Sequence, residues 1–306
     1  MPDPIGPPLP TPAPAYRPLQ AILWMVVTGF LFVGVTAAVK HGAQDLPAAE
    51  SAFLRYVLGL VFILPMLKPL RAARLTRRQK KLFWIRGLAH SVAIILWFFA
   101  MTRITLAEVT AMNYMTPIYV TLGAALFLGE RLAIRRIIAI AAAFVGALII
   151  LRPGMRELSD GHIAMVFAAM VFSISYLTAK LMADEVSPTV VVAMLSITVT
   201  VGLFPAAMLV WRTPTAEELF WIFVVATLAT AGHYTMTLAF AAAPVSVTQP
   251  VIFLQLVWSV MIGALFFSEP ADTWVILGGT VIVAAATFIA IREAMLKRAL
   301  SRATSA

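Results

Sequence analysis

The sequence predicts an all-α polytopic membrane protein, in which ten transmembrane helices form two inverted five-helix repeats. Three observations predict this fold. First, 61% of the 306 residues are hydrophobic and only 12% are charged, which is about half the charge of an ordinary soluble domain. Second, ten segments are apolar and long enough to cross a bilayer core, which needs about 20 helical residues. Third, a shift of 139 residues matches the last five segments to the first five.

The ten predicted spans occupy most of the chain, and their short connections leave no room for a soluble domain. They cover residues 19–39, 50–67, 83–102, 106–128, 134–151, 161–181, 188–210, 217–240, 246–267 and 272–291. Residues 1–18 contain eight of the nineteen prolines and are expected to form a disordered tail. This tail lacks the basic and then apolar pattern of a cleaved signal peptide, so the first span is expected to be retained.

The distribution of Lys and Arg predicts the orientation. With a cytoplasmic N-terminus, 16 of the 23 basic residues lie on the inner side and 5 on the outer side. The positive-inside rule then places the tails 1–18 and 293–306 in the cytoplasm. We interpret the basic charge as a contact with anionic lipids, and not as a nucleic-acid surface. Short loops and this bias are typical of a bacterial inner-membrane protein.

An internal repeat relates the two halves. A shift of 139 residues aligns ALFLGE (125–130) with ALFFSE (264–269) and matches five spans to five. Because five is odd, the second copy crosses the membrane in the opposite sense. Inverted repeats of this kind are typical of secondary transporters, whose halves enclose a site near the bilayer midplane. The predicted repeats are 19–152 and 153–292.

The segment 114–154 resembles the end of the first EamA repeat in the drug/metabolite transporter superfamily. It has a proline-containing fourth span, a Leu-Gly-Glu-Arg turn and a fifth span ending in Arg-Pro-Gly. The FLRY motif at 53–56 and the segment 244–269 are similar to the same family, although Ser268 stands where the family often has glycine. The resemblance covers about residues 19–292. It implies a transporter of small organic metabolites, with a cavity lined mainly by spans 1, 3, 4, 6, 8 and 9, and with spans 5 and 10 peripheral.

Acidic residues and cysteines limit the possible chemistry. None of the fourteen carboxylates falls at the middle of a predicted span, and the chain has no cysteine. It therefore lacks the deep carboxylate that many proton- or sodium-coupled carriers use. We expect no metal and no cofactor, and a substrate that is uncharged or zwitterionic, such as an amino acid or an aromatic vitamin.

Two histidines lead the candidate substrate-binding residues. His90 and His233 lie inside the third and eighth spans and titrate near physiological pH. They are predicted to bind substrate or accept protons; the alternative is a neutral ring bonded to backbone carbonyls. Trp97, on the same face as His90, and Trp258 lie deep enough to stack on a planar substrate. The alternative for them is an anchoring role at the membrane interface.

Helix interruptions supply a second group of candidates. Pro117 frees the backbone carbonyl of Asn113 beside its amide side chain, and the ninth span carries Gln249 and Pro250. Discontinuous helices in both halves favour a transport site there. The remaining candidates on these spans and on span six are Tyr114, Thr116, Tyr176 and Gln255. The alternative reading of all these polar groups is interhelical hydrogen bonding.

Two basic residues are predicted to have a gating or a structural role. Arg55 lies near Glu50 and is interpreted as a snorkelling or ion-paired arginine, or as part of an outer gate. Lys180 lies near the inner end of its span and is expected to snorkel.

The hypothesis is therefore a secondary transporter working by alternating access, through facilitated diffusion or through exchange of protons linked to the histidines. The alternatives are a membrane-embedded enzyme acting on lipids, and a channel or receptor. An enzyme is disfavoured because the spans offer no HExxH motif, paired aspartates or Ser/Lys dyad. The partners expected are a small-molecule substrate and membrane lipids, and the sequence does not indicate an oligomeric state.

Overall fold

The computed structural model describes residues 17–128, 134–152, 157–182, 185–242, 251 and 254–304, and every regular element within those ranges is helical. The α-helices, numbered here in chain order, are α1 Pro18–Gly42, α2 Ala48–Gly59, α3 Leu67–Ala72, α4 Arg77–Met101, α5 Leu106–Asn113, α6 Thr116–Leu128, α7 Ile134–Leu151, α8 Asp160–Met182, α9 Pro188–Leu209, α10 Ala216–Ala242, α11 Leu254–Phe267 and α12 Thr273–Thr304. A 3-10 helix, Leu60–Met66, joins α2 to α3.

Six helical stretches in the described ranges are long and apolar enough to cross a membrane. They are Leu19–Gly42, Ala48–Ala72, Arg77–Met101, Asp160–Ala179, Thr189–Leu209 and Ala216–Met236. Shorter apolar helices cover Ile137–Leu151, Leu254–Phe267 and Thr273–Ala285. The chain is thus a multi-pass helical membrane protein, while the count of ten spans stays a prediction.

Capping boxes set where three of the helices begin. Three Thr-x-x-Gln/Glu capping boxes start α4, α5 and α10, with the pairs Thr76–Gln79, Thr105–Glu108 and Thr215–Glu218. In each box the threonine side chain accepts a backbone N–H and the partner side chain accepts another, which satisfies donors at the helix start. For this reason α4 begins at Arg77 and includes charged residues, six residues before the predicted span at 83. Hydropathy alone does not detect such extensions.

The fourth span is interrupted. Helix α5 ends at Asn113 and α6 begins at Thr116, just before Pro117, which has no backbone N–H to continue the helix. The predicted discontinuity in span four is therefore present. Its counterpart at Gln249 and Pro250 lies outside the described residues.

Helix packing joins the two halves of the chain. Helix α1 packs mainly on α10, α4 on α8, and α7 on α12. Helices α7 and α12 cross at Gly146 and Gly278, where a Cβ on either glycine would lie 2.5–2.7 Å from the carbonyl oxygen of the other. This close approach requires glycine. Helices α7 and α12 thus pair across the two halves of the chain, while the peripheral placement implied for spans 5 and 10 stays a prediction.

One end of the helix bundle, which we call the bridged end, carries several polar side-chain links between the halves. Its described connections are 43–47, 102–105, 152, 157–159, 210–215 and 268–272. The linked residues are Lys40 with Glu269, Glu50 with Arg212, Glu108 with His162, and Arg152 with Asp272. Sequence analysis placed the acids outside the span centres but did not show that Glu50 and Glu108 are buried, with 0% and 4% of their surfaces exposed.

The opposite end, which we call the tail end, has weaker connections among the described residues. The side chains of Arg78 and Gln79 bond Glu185, and both members of the Arg78–Glu185 ion pair are exposed. The guanidinium of Arg78 is the main reason that the pKa of Glu185 lies below its usual value. An exposed pair of this kind contributes little stability, so the tail end is held less firmly than the bridged end.

The turn after α11 contains a strained serine. Ser268 has φ 53°, and the next N–H, of Glu269, donates to the carbonyl of Gly263 at 3.0 Å. At such a positive φ glycine is preferred after a helix, because a Cβ is unfavourable in that region. The departure from glycine noted in the sequence therefore stores local strain.

We expect Ser268→Gly to stabilise the protein by about 0.5–1 kcal/mol, because relief of the strain exceeds the added chain entropy of glycine. Thermal unfolding of the purified chain measures the change. Ser187→Gly is the matched control, since Ser187 has φ −59° and should lose stability on the same change. A Ser268→Gly protein that melts below the parent would contradict the prediction.

Candidate functional site

His90 lies near the middle of α4 and joins three helices. Its Nε2 lies 2.9 Å from the hydroxyl of Tyr56 in α2, and its Nδ1 lies 3.3 Å from the hydroxyl of Ser175 in α8. The ring of Phe172 packs edge-on against the imidazole at 5.0 Å. These contacts differ from the alternative of backbone carbonyl partners, because both ring nitrogens meet side-chain hydroxyls. Either hydroxyl can donate or accept, so the site accommodates either neutral tautomer.

His233 faces the same region from α10. Its side chain is exposed, and the ring packs edge-on against Phe32 of α1 at 5.1 Å. Arg55 and Arg86 lie close enough for their charges to act on both imidazoles. The tertiary structure thus brings the two predicted histidines to one region, although they are not at equivalent positions of the repeat.

The position of Tyr176 on α8 indicates that the region around His90 and His233 is an open cleft. Half of its surface is exposed, yet it interacts electrostatically with Arg86 of α4 and Tyr56 of α2. A side chain that is both accessible and surrounded by neighbouring helices lines an open cleft. We call this region the central cleft and define it by Arg55, Tyr56, Arg86, His90, Tyr176 and His233.

Arg55 is buried, and no described carboxylate forms an ion pair with it. It is 9% exposed, and its Cζ lies 4.7 Å from the centre of the Tyr56 ring. Its Nε and Nη1 atoms are buried and have no hydrogen-bond acceptor among the described residues. The predicted partner, Glu50, instead accepts the backbone N–H of Arg212 at 3.1 Å. Neither the snorkelling nor the ion-paired interpretation of Arg55 therefore matches the structure.

Arg86 is a cleft residue that sequence reasoning did not single out. It is 8% exposed; Nη1 donates to the carbonyl of Val191 at 3.3 Å, and Nε is buried without an acceptor in the described part of the chain. The signal that could have found it was its position four residues before His90, since i and i+4 share a helix face.

The interrupted fourth span contacts α11. Tyr114 is buried and shares a hydrogen bond with the backbone of Leu256, and Thr116 is also buried. Asn113 and Gln255 are half-buried. Gln255 lies against Gly29 of α1: a Cβ added to that glycine would be 3.6 Å from the Cβ of Gln255, which is an ordinary van der Waals contact. These candidates thus lie at the junction of α1, the helix interruption and α11.

The two tryptophans are half-buried, and their indole N–H groups have no acceptor among the described residues. Trp258 packs edge-on against Phe30 at 6.3 Å, and Trp97 against Phe98 at 5.9 Å. Pro117 is exposed. The side chain of Lys180, and all of Gln249 and Pro250, lie outside the described residues.

The chemistry available in the central cleft is binding chemistry. It offers hydroxyls, imidazoles and guanidinium groups, and no cluster of three or more His, Asp or Glu that could hold a metal occurs in the described ranges. Apolar helices thus surround a polar cleft near their middle, and one end of the bundle is bridged. This combination defines a class of multi-pass membrane proteins that move small molecules.

The family follows from comparison with known proteins. Residues 19–152 and 159–291 each match the EamA-like transporter family, and the chain belongs to that family. It is a transporter and not an enzyme, and its partners are a small-molecule substrate and membrane lipids.

Named relatives match nearly the whole chain. A riboflavin transporter of Rhizobium johnstonii is 30% identical over 93% of this chain and 96% of its own length. A pseudopaline exporter of Pseudomonas aeruginosa is 27% identical, covering 87% of this chain and 94% of the relative. An S-adenosylmethionine uptake transporter of Rickettsia bellii is 24% identical, covering 86% and 89%. The names include both uptake and export, so the family does not determine direction.

A solved crystal structure shares the fold. It has a TM-score of 0.57 at 18% identity and covers 87% of this chain and 95% of its own.

Proposed function

We propose that this protein is a secondary transporter that moves a small uncharged or zwitterionic organic metabolite across a bacterial inner membrane by alternating access. The observation that carries the proposal is the central cleft, in which polar side chains from α2, α4, α8 and α10 meet near the middle of the bundle. In this proposal the tail end and both termini are cytoplasmic, as the positive-inside rule indicates.

The packing pattern supports two inverted five-helix repeats. Exchanging the halves turns the contact of α1 with α10 into that of α8 with α4, and the contact of α4 with α9 into that of α10 with α2. The contact of α6 with α8 likewise exchanges with that of α11 with α1. A pseudo-two-fold axis in the membrane plane produces this exchange, which is the arrangement of inverted-repeat carriers. It supports the ten-span count and the repeats 19–152 and 153–292.

The two ends of the bundle support alternating access. Links between the halves close the bridged end, where Glu50 and Glu108 are buried. The side chains of Tyr176 and His233 are accessible in the cleft. We infer a state that is closed toward the outside and open toward the cytoplasm, from which transport requires the links of the bridged end to separate.

The cleft chemistry and the names of the relatives guide the choice of substrate. Hydroxyls, imidazoles and aromatic faces suit a polar molecule with a planar ring. Riboflavin is therefore the first probe, because riboflavin transporters are among the relatives. His90 and His233 are the groups we propose for any proton coupling, and uncoupled facilitated diffusion is the alternative.

A two-stage experiment tests the proposal. Purified protein is first screened for ligands that raise the melting temperature, using riboflavin, amino acids, nucleosides and S-adenosylmethionine, because a ligand that binds only the folded state stabilises it. Flux of each hit is then measured in proteoliposomes, with and without a pH gradient. Saturable flux with counterflow supports a carrier, whereas non-saturating flux would indicate a channel. Absence of flux for every hit would overturn the proposal.

A further inference from the structure

No described carboxylate pairs with either arginine of the central cleft. In the described part of the chain, the ion pairs of Glu108, Glu185, Glu218, Glu269 and Asp272 are made with other residues, and Glu50 accepts the backbone of Arg212. The arginines therefore bring two positive charges into the bundle that no described carboxylate neutralises.

Burying these two unpaired charges costs free energy of folding, which favours a functional reason for keeping them. A guanidinium remains protonated in proteins, and burying an unpaired charge costs several kcal/mol even after relaxation. Arg55 and Arg86 are each more than nine-tenths buried, and both carry buried nitrogens without an acceptor among the described residues. A protein that needed only stability could use an apolar residue at either position.

Both arginines are near neighbours of the His90 site. Tyr56 stacks on Arg55 and bonds His90, and Arg86 lies one helical turn before His90 on α4. The charges of both arginines reach the same two imidazoles. Both arginines thus lie beside the imidazole of His90 in the central cleft, and guanidinium forks match the paired oxygens of carboxylate and phosphate.

We infer that Arg55 and Arg86 form an anion-binding subsite in the central cleft, which takes a carboxylate or phosphate group of the transported metabolite. The inference rests on the proposed function, which supplies the transported molecule. Within the proposed substrates it selects a zwitterion that carries an anionic group over a wholly uncharged solute.

The test uses the purified full chain in neutral detergent at constant ionic strength. Melting temperatures are measured while acetate, its neutral analogue acetamide, or inorganic phosphate is added. Acetate or phosphate, but not acetamide, is expected to stabilise the parent protein, and the stronger of the two anions identifies the chemical group. Arg55→Gln and Arg86→Gln are each expected to weaken the apparent affinity by about tenfold or more, as loss of charge-assisted hydrogen bonds predicts.

Controls separate the subsite from general effects. Arg71→Gln removes an exposed arginine of α3 and should respond to anions like the parent. Arg55→Lys and Arg86→Lys keep the charge without the fork, and they provide the same comparison if a Gln variant does not fold. Equal anion responses in the parent and in the Arg55 and Arg86 variants would overturn the inference. Arginine-dependent stabilisation by phosphatidylglycerol nanodiscs, without any by soluble anions, would also overturn it by indicating a lipid site.

The proposed function and the subsite can fail separately. Saturable flux of a solute whose affinity does not change in the Arg55 and Arg86 variants would overturn the subsite alone. Arginine-dependent anion binding without flux of any solute would overturn the transport proposal alone.

Discussion

Glu269→Gln is expected to destabilise the protein by about 2–4 kcal/mol and to open the bridged end. The carboxylate pairs with Lys40 and accepts the backbone N–H of Leu106 at 2.9 Å. The amide oxygen of the introduced glutamine can still accept the N–H of Leu106. The amide carries no charge, however, so the ammonium of Lys40 loses its ion-pair partner. Breaking a buried pair costs about 3–5 kcal/mol, and we expect less here because 19% of the Lys40 side chain remains exposed.

A double-mutant cycle isolates the pair. Lys40→Met should also destabilise the protein, and the double variant Lys40→Met with Glu269→Gln should cost less than the sum of the two single changes. The free energies of unfolding of the four proteins provide the measurement. Additive effects would show that the pair does not hold the bridged end together.

The same variant tests the gating role of the link. The chain has no cysteine, so a single introduced thiol reports on one position. Ser51 is 1% exposed at the bridged end, and Ser51→Cys should react slowly with an impermeant maleimide in the parent and faster when combined with Glu269→Gln. Gln44→Cys, at an exposed position, is the control for intrinsic reactivity. An unchanged labelling rate of the Ser51→Cys thiol in the combined variant would contradict a gate at this link.

His90→Ala is expected to lower substrate affinity and flux by about tenfold or more, because it removes the imidazole that holds Tyr56 and Ser175 in the cleft. Each lost hydrogen bond is worth about 0.5–1.5 kcal/mol, and Tyr56 also loses the partner that orients its ring against Arg55. Ligand-induced stabilisation and proteoliposome flux, for a substrate identified by the screen, measure the two effects.

Two variants distinguish a site role from a general structural one. His90→Gln keeps a donor and an acceptor near Tyr56 and should recover part of the affinity. His41→Gln changes an exposed histidine at the bridged end and should leave affinity unchanged. Parent-like flux in His90→Ala would remove this residue from the site.

Local features of the fold were predictable from sequence. The interruption before Pro117 was predicted, because a missing N–H acts on its own helix. At Ser268 the sequence indicated only that serine stands where the family often has glycine. The positive φ of this residue, and therefore the strain, is a feature of the three-dimensional structure. The early start of α4 was missed, because a capping box extends a helix into charged sequence.

The candidate site was less predictable. His90 and His233 were chosen as the titratable groups inside spans, and the structure brings them to one cleft. Arg86 was passed over, and the expected partner of Arg55 was wrong: Glu50 bonds the backbone of Arg212 instead. Sequence spacing shows which residues share a helix face, but it does not show which neighbouring helix that face meets.

The sequence by itself determined that the chain is a multi-pass helical membrane protein with a repeated, transporter-like organisation. Apolar length, charge bias and self-similarity are properties of the chain that need no knowledge of packing. Only the tertiary structure decided which polar groups meet. Burial and pairing arise between helices that are distant in sequence, as when α2 and α4 place Arg55 and Arg86 in one cleft where no described carboxylate pairs with them. The low number of acidic residues first indicated a membrane protein. In the structure, the same scarcity leaves both arginines of the cleft without a described carboxylate partner.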